Sequence, residues 1–260
     1  MTRSETAAPS VSRTRASWED LGALDPLWAI LSDSAHQFGR WNVDEFFATG
    51  EEEIGGVLAA ASRYGLPVHP GKALDFGCGV GRLTRALALR FDHAVGVDIS
   101  QPMIDRAREY NATRANCTFV LNDRADLSAF PSAEFDFVYS NIALQHIQHR
   151  SAIYAYIRDF VRVLGPDGIA VFQLPSHMRL RNRLQLRPRL YNALRSVGAS
   201  PQFLYERLRL HPVTMTFAPE RDVTAVITNA GGRVLDVKSR TAGSTISSVY
   251  FVTPAAAHTP

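Results

Sequence analysis

The chain has 260 residues and a mass of 28.7 kDa, of which 46% are hydrophobic and 20% charged, so it can bury one sizeable core and a small cap. No apolar run approaches the roughly 20 residues needed to cross a bilayer, and the N-terminus "MTRSETAAPSVSRTRAS" lacks the apolar centre of a secretory signal, so a cytoplasmic protein is expected. A net charge of +3 is too mild to argue for a nucleic-acid partner, and the two cysteines, Cys78 and Cys117, show no metal-ligand or disulfide-framework spacing.

In chain order, residues 1–17 and 253–260 lack hydrophobic periodicity and read as disordered tails. Residues 18–66 read as a helical N-terminal arm or cap: "WEDLGALDPLWAIL" and "EEEIGGVLAAASRYG" are helices, the second stopping at Gly65, with "FGRWNVDEFFATG" between them. Trp41, Phe46 and Phe47 there either dock the arm on the core or wall a pocket. From Lys72 strands and helices alternate. "KALDF", "HAVGVD", "CTFVL", "FDFVYS" and "IAVFQL" are short apolar strands; Leu83, Ala86, Leu87 and Phe91, and then Ile153, Tyr156, Ile157, Phe160, Val161 and Leu164, mark helices between them. Ser100 caps a helix whose first turn holds Pro102, and "GPDG" is a turn into the fifth strand. A further helix, "APERDVTAVITNAGG", precedes the strands "RVLDVK" and "SSVYFV". Strand, crossover and strand in repetition means a parallel sheet covered on both faces.

The stretch "ALDFGCGVGRLTRAL" places Gly77, Gly79 and Gly81 on the first strand-to-helix turn, where ligands of such sheets sit. A nicotinamide dinucleotide site would need glycine where Arg82 stands, and a phosphate-cradling loop would need G-K-[ST] instead of "GVGRLT". "LDFGCGVGR" instead resembles motif I of the class I S-adenosylmethionine-dependent methyltransferases. Asp98, ending "VGVD", "ISQPMIDRA" after it, the turn "LNDRADL" and the stretch "RVLGPDGIAVFQ" resemble the same family in the same order. The resemblance covers residues 70–175 well and 215–252 loosely.

It implies a doubly wound, Rossmann-like α/β methyltransferase fold: a mostly parallel seven-stranded sheet with an antiparallel last strand, spanning 67–252, with an arginine-rich lid inserted at 176–214. It implies S-adenosylmethionine as cofactor and S-adenosylhomocysteine as product. Asp98 would accept from both ribose hydroxyls, a role that suits a two-oxygen acceptor. Ile99 and Met103 would flank the adenine; Asp123 and the amide of Arg124 would read its edge, with Asp126 second. Asp75 would meet the methionine ammonium indirectly, and Gly77, Cys78, Gly79 and Asn141 complete the expected cofactor contacts. Arg82 belongs to the same set; because a cation at a helix N-terminus is unfavourable, it should pair with a carboxylate, the ligand's being one candidate.

The resemblance makes the expected reaction an in-line methyl transfer to a small organic acceptor. The acceptor atom is first a hydroxyl oxygen, as in a sugar, glycolipid or secondary-metabolite intermediate, and next an amine nitrogen. In "SNIALQHIQHR", His146 is the candidate general base or else a structural histidine bonded to a neighbouring loop, and His149 is a weaker candidate. Ile142 and Gln145 stand where one family branch carries metal-binding acids, so no metal is expected. Base-directed nucleic-acid methylation is disfavoured because "SNIA" lacks the paired prolines used there. Arg179, Arg181, Arg183, Arg187, Arg189, Arg195, Arg207 and Arg209 make the lid basic. They suit an anionic acceptor or lipid surface, or form a solvated face with scattered ion pairs. A cofactor-binding regulator and an RNA methyltransferase are the alternatives of other classes.

Overall fold

The computed structural model describes residues 9–64, 69–243 and 245–255. Its seven strands are β1 (Lys72–Phe76), β2 (His93–Asp98), β3 (Cys117–Leu121), β4 (Phe135–Ser140), β5 (Leu164–Met178), β6 (Gly232–Ala242) and β7 (Thr245–Pro254). They form one sheet in the order β3-β2-β1-β4-β5-β7-β6, parallel through β5, with β7 antiparallel to both neighbours. Strand order reverses between β1 and β4, so the crevice outside their carboxyl ends is the place for a ligand.

Alternation along the strands feeds two apolar layers. Leu74 and Val138 point to a face covered by α6 (Arg150–Val163) and α10 (Glu220–Asn229), while Ala73 and Phe137 point to one covered by α3 (Val43–Ala61) and α4 (Arg82–Leu87). Burial on both faces explains why β1 and β4 read as nearly continuous apolar runs. The remaining helices are α1 (Pro9–Leu24) and α2 (Pro26–Ile30) in the arm, α5 (Gln101–Tyr110) after β2, and α7 (Leu180–Arg183), α8 (Leu186–Ser196) and α9 (Pro201–Glu206) in the insert.

Local signals act as expected at α5, where Ser100 Oγ accepts from the Met103 amide at 3.4 Å. Elsewhere the structure differs. Helix α1 begins at Pro9, inside the stretch whose composition suggests a tail, and β7 continues through Pro254. Most of "FGRWNVDEFFATG" is helical: Asn42 caps α3 by accepting from the Glu45 amide at 3.1 Å, and the first turn carries Asp44 and Glu45. "GPDG" lies within the assigned β5, where the register with β4 jumps from Phe135↔Leu164 to Phe137↔Ile169, so the turn is absorbed as an irregularity of the strand. Gly65 and residues 256–260 lie outside the described residues.

The arm and the insert meet at Asp25, which is almost wholly buried. Its Oδ2 accepts from the amides of Phe38 (2.6 Å) and Gly39 (3.1 Å) and from the Tyr205 hydroxyl (2.8 Å). Phe38 and Gly39 both adopt positive φ, which turns their successive amides toward one anion. Asp25→Ala would strand the buried Tyr205 hydroxyl, at about 1–3 kcal/mol for a buried donor left unpaired, and would also release the Phe38 and Gly39 amides, whereas Tyr205→Phe removes one bond at about 1 kcal/mol. Urea denaturation should therefore rank Asp25→Ala well below Tyr205→Phe in stability; equal losses would show that the carboxylate does not organise the cap.

Candidate active site

The turn from β1 to α4 is held on the sheet by the Gly77 and Cys78 amides, which donate to the Val97 carbonyl at 2.8 and 3.0 Å. Gly77 and Gly79 have φ of 77° and 52°. A Cβ at Gly77 would run into Ala143, and one at Gly79 would meet the Ile30 Cδ1 at 2.5 Å. Asp98 closes the turn from the other side: its Oδ2 accepts from the Gly79 amide and its Oδ1 from the Ser100 amide, each at 2.9 Å. Burial pushes its carboxyl up, against the lowering by these amides.

Beyond the turn lies a cavity of about 950 Å³ including its open mouth. Gly77, Gly79, Asp98, Ile99, Met103, Asn141 and His146 of the expected site line it together. Trp18 of α1 and Ile30 of α2 close it from the arm, and Asn122 stands at the end of β3. Trp18 packs edge-on against the His146 ring, with centroids 5.2 Å apart, and its carbonyl accepts from Ser100 Oγ at 3.2 Å. Trp41, Phe46 and Phe47 belong to the apolar cluster that docks the arm and are not among the lining residues.

Five expected residues do not line the cavity. Asp75 is buried under the turn; its Oδ2 accepts from Thr84 Oγ1 at 2.7 Å and its Oδ1 has no partner. Burial pushes this carboxyl up to about 7, opposed by the Thr84 hydrogen bond and the Arg82 charge. Cys78 is buried beneath the turn beside Gly96. Asp123 and Arg124 are exposed on the turn after β3, and the Arg124 amide donates to Asn122 Oδ1 at 3.3 Å.

Arg82 points the opposite way from the cavity, toward α3. Its Nη2 donates to Glu53 Oε2 at 2.7 Å and its Nη1 to Thr49 Oγ1 at 3.2 Å, so the carboxylate it pairs with belongs to the protein. Glu53 Oε1 also accepts from the Tyr139 hydroxyl (2.9 Å) and from Asn141 Nδ2 (2.7 Å). Gly50 permits this approach, since a Cβ there would meet the Arg82 carbonyl at 2.7 Å. Nothing in the spacing of "EEEIGG" singles out Glu53; its role follows from helix packing.

His146 ends the 3-10 turn Leu144–His146. A chain of amides sets its tautomer. The Ile142 amide must donate, so Gln173 presents Oε1 to it (3.1 Å) and turns Nε2 toward Gln145 Oε1 (3.3 Å) and Ser247 Oγ (2.7 Å). Gln145 then presents Nε2 to His146 Nε2 at 3.1 Å, which must accept, while His146 Nδ1–H donates to the Thr214 carbonyl at 2.8 Å. Burial lowers the imidazole pKa to about 4, outweighing the Thr214 bond. Ile142, which starts this chain, is a β-branched residue held at φ 61°, a conformation that costs on the order of 1–3 kcal/mol.

Two measurements bear on this geometry. Glu53→Ala leaves the buried Arg82 guanidinium unpaired and should destabilise the fold near the lower end of the roughly 3–5 kcal/mol seen when a buried pair is broken, because Glu53 keeps 22% of its side chain exposed; a loss below about 1 kcal/mol would make the pair a surface-like contact. The His146 imidazole should titrate by NMR near pH 4, and a midpoint near 6.5 would show that the ring is not held buried in the cavity wall. The sign follows from linkage: the stability contributed by a neutral His146 is complete above about pH 6.5 and is lost as pH falls through about 4.

A family model described as a methyltransferase domain matches residues 73–168. Among curated proteins, the chain is 31% identical over 168 residues to a 2-methyl-6-phytyl-1,4-hydroquinone methyltransferase of Synechocystis, covering 64% of this chain and 51% of that protein. It is 32% identical over 130 residues to a malonyl-[acyl-carrier protein] O-methyltransferase of Legionella pneumophila, covering 49% and 44%. The chain thus spans about half the length of these relatives. In fold it is similar to the crystal structure of a magnesium protoporphyrin IX methyltransferase of Synechocystis with bound SAH, at a TM-score of 0.62 and 20% identity, covering 95% of this chain and all of that one. The order of the sheet, the glycine turn closed by Asp98 and the matched segment agree: residues 73–168 are a methyltransferase domain of the class I S-adenosylmethionine-dependent type.

Proposed function

We propose that the protein transfers the sulfonium methyl of S-adenosylmethionine to an oxygen of a small organic acceptor. The observation that carries the reading is Asp98, held by two backbone amides at the tip of β2 beside the glycine turn and facing the cavity. Each of its oxygens accepts one amide and retains acceptor capacity, which matches a vicinal diol. Ile99 and Met103 offer apolar and polarizable surface on the adjoining wall. Asp75, beneath the turn and outside the cavity lining, supports the turn from behind through Thr84. Asp123 does not fit so well; Asn122, which lines the cavity, takes the adenine edge in this reading.

When bound, S-adenosylmethionine supplies a methyl already activated by positive charge. The chain's part is to fix the acceptor in line and to exclude water. Trp18 and Ile30 close the cavity from above, and Asn141, anchored by Glu53, presents a fixed amide. His146 is a weak base here, with its accepting nitrogen already occupied by Gln145. Proton removal from an aliphatic hydroxyl is a poor match to such a group. The acceptor oxygen is therefore one that arrives ionised, such as a carboxylate, or a phenol or enol acidified by its own substituents, of a secondary-metabolite intermediate, in preference to a sugar hydroxyl. A neutral amine nitrogen is the second reading, since it needs no base.

Asp98→Ala should weaken S-adenosylmethionine and S-adenosylhomocysteine binding by about tenfold or more in calorimetry, as expected for losing hydrogen bonds to a charged group, while the thermal transition stays cooperative. Unchanged affinity would remove Asp98 from the ribose role. Isotope-labelled methyl offered with a fractionated cell extract should enter the small-molecule pool. Label in RNA would overturn the acceptor class, and tight cofactor binding with no transfer into any pool would favour the regulator.

A further inference from the structure

The insert places an unusual surface on the outside of the cap. Among the described residues, seven of the ten large apolar side chains that stand exposed lie between Leu180 and Leu208, led by Leu180 (75% exposed), Leu186 (68%) and Val197 (80%). In α8, Leu186, Leu190 and Ala193, with Val197 just past its end, fall within about 60° of arc at about 100° per residue, and all four are exposed. The opposite face of α8 is accounted for: Tyr191 is buried and donates to Asp20 of α1 at 2.8 Å, and Arg195 pairs with the same carboxylate at 3.2 Å. Since α1 carries Trp18 into the cavity wall, the apolar stripe faces away from the site on the far side of the cap.

Arginines border the stripe. Residues 178–210 hold eight of them against one acid, Glu206. Some are spent on the protein itself: Arg183 lies over the Phe217 ring at 4.5 Å, and Arg209 over Phe38 at 4.2 Å. The guanidinium groups of Arg179, Arg189 and Arg207 are exposed and make no ion pair, hydrogen bond or ring contact among the described residues. Arg189 flanks Leu186 and Leu190 directly with its guanidinium free among the described residues, and Arg187 on the other edge donates from Nη2 to the Arg209 carbonyl at 2.7 Å. An apolar stripe edged by exposed arginines is the pattern of a helix that lies in a bilayer interface, its leucines among the acyl chains and its cations among the headgroups. A second copy of the chain is a poorer occupant, because the same excess of positive charge would face itself.

We propose that the outer face of α7–α9, centred on Leu186, Leu190 and Val197, docks on an anionic lipid bilayer surface. This does not depend on the methyl-transfer reading. The test is co-sedimentation of the full-length protein with vesicles of phosphatidylcholine alone and with phosphatidylglycerol added. Binding should be about tenfold or more tighter to the anionic vesicles. The L186S/L190S/V197S variant should lose about tenfold in that affinity, and R179Q/R189Q/R207Q should lose the preference for phosphatidylglycerol. Both should keep the wild-type melting temperature, since every altered side chain is exposed. Absence of vesicle binding, undiminished binding by the triple serine variant, or RNA binding as tight as vesicle binding would overturn the proposal. So would a solution dimer that the triple variant dissociates, which would hand the stripe to a second copy.

Discussion

One carboxylate, Glu53, ties together the pieces from which the site is built. It comes from the arm, yet it neutralises Arg82 at the start of α4 and takes hydrogen bonds from Tyr139 on β4 and Asn141 just beyond it. The glycine turn ends where Arg82 begins, and Asn141 lines the same cavity as that turn. The carboxyl-end rim of β1 and β4, outside which the crevice lies, is therefore fastened by a residue of neither strand. A charge pair with one partner 3% exposed is expensive to desolvate, and here it is supported by the Thr49, Tyr139 and Asn141 hydrogen bonds.

The cap is organised by the same logic on a second acid. Asp25 gathers two backbone amides and a tyrosine hydroxyl, and Asp20 gathers Tyr191 and Arg195, so carboxylates of α1 and of the break before Pro26 join the arm to the insert beside the apolar contacts of Tyr205 with Trp28 and Phe38. Polar anchors of this kind leave the apolar faces of α1 and α2 free to close the cavity with Trp18 and Ile30. They also leave the outer stripe of α8 without a protein partner.

Inside the cavity, electrostatics favours holding groups still over moving protons. The amide chain from Ile142 through Gln173 and Gln145 to His146 is satisfied at each step, and such a network rigidifies what it contains. A methyl donor that carries its own activation needs positioning more than acid–base help, so a neutral, doubly bonded imidazole in the wall agrees with the chemistry proposed.

What the sequence determined by itself is local or periodic. The alternation of apolar strands and helices, the glycine turn after β1, Asp98 at the end of β2 and the Ser100 cap are each written within a few neighbouring residues, and each appears where its pattern places it. Tertiary structure decided the remainder. Arg82 and Asp75 sit one and two positions from glycines of the turn, but a helix begins or a strand ends there, and the side chains point behind the turn instead of into the cavity. Asp123 and Asn122 are neighbours whose roles depend on where β3 stops. Trp18, Glu53, Gln173 and Thr214 reach the site from distant parts of the chain, brought there by packing that no short spacing encodes. Local patterns specify which elements form and where a turn must be tight; which carboxylate meets which cation is settled only when those elements are stacked.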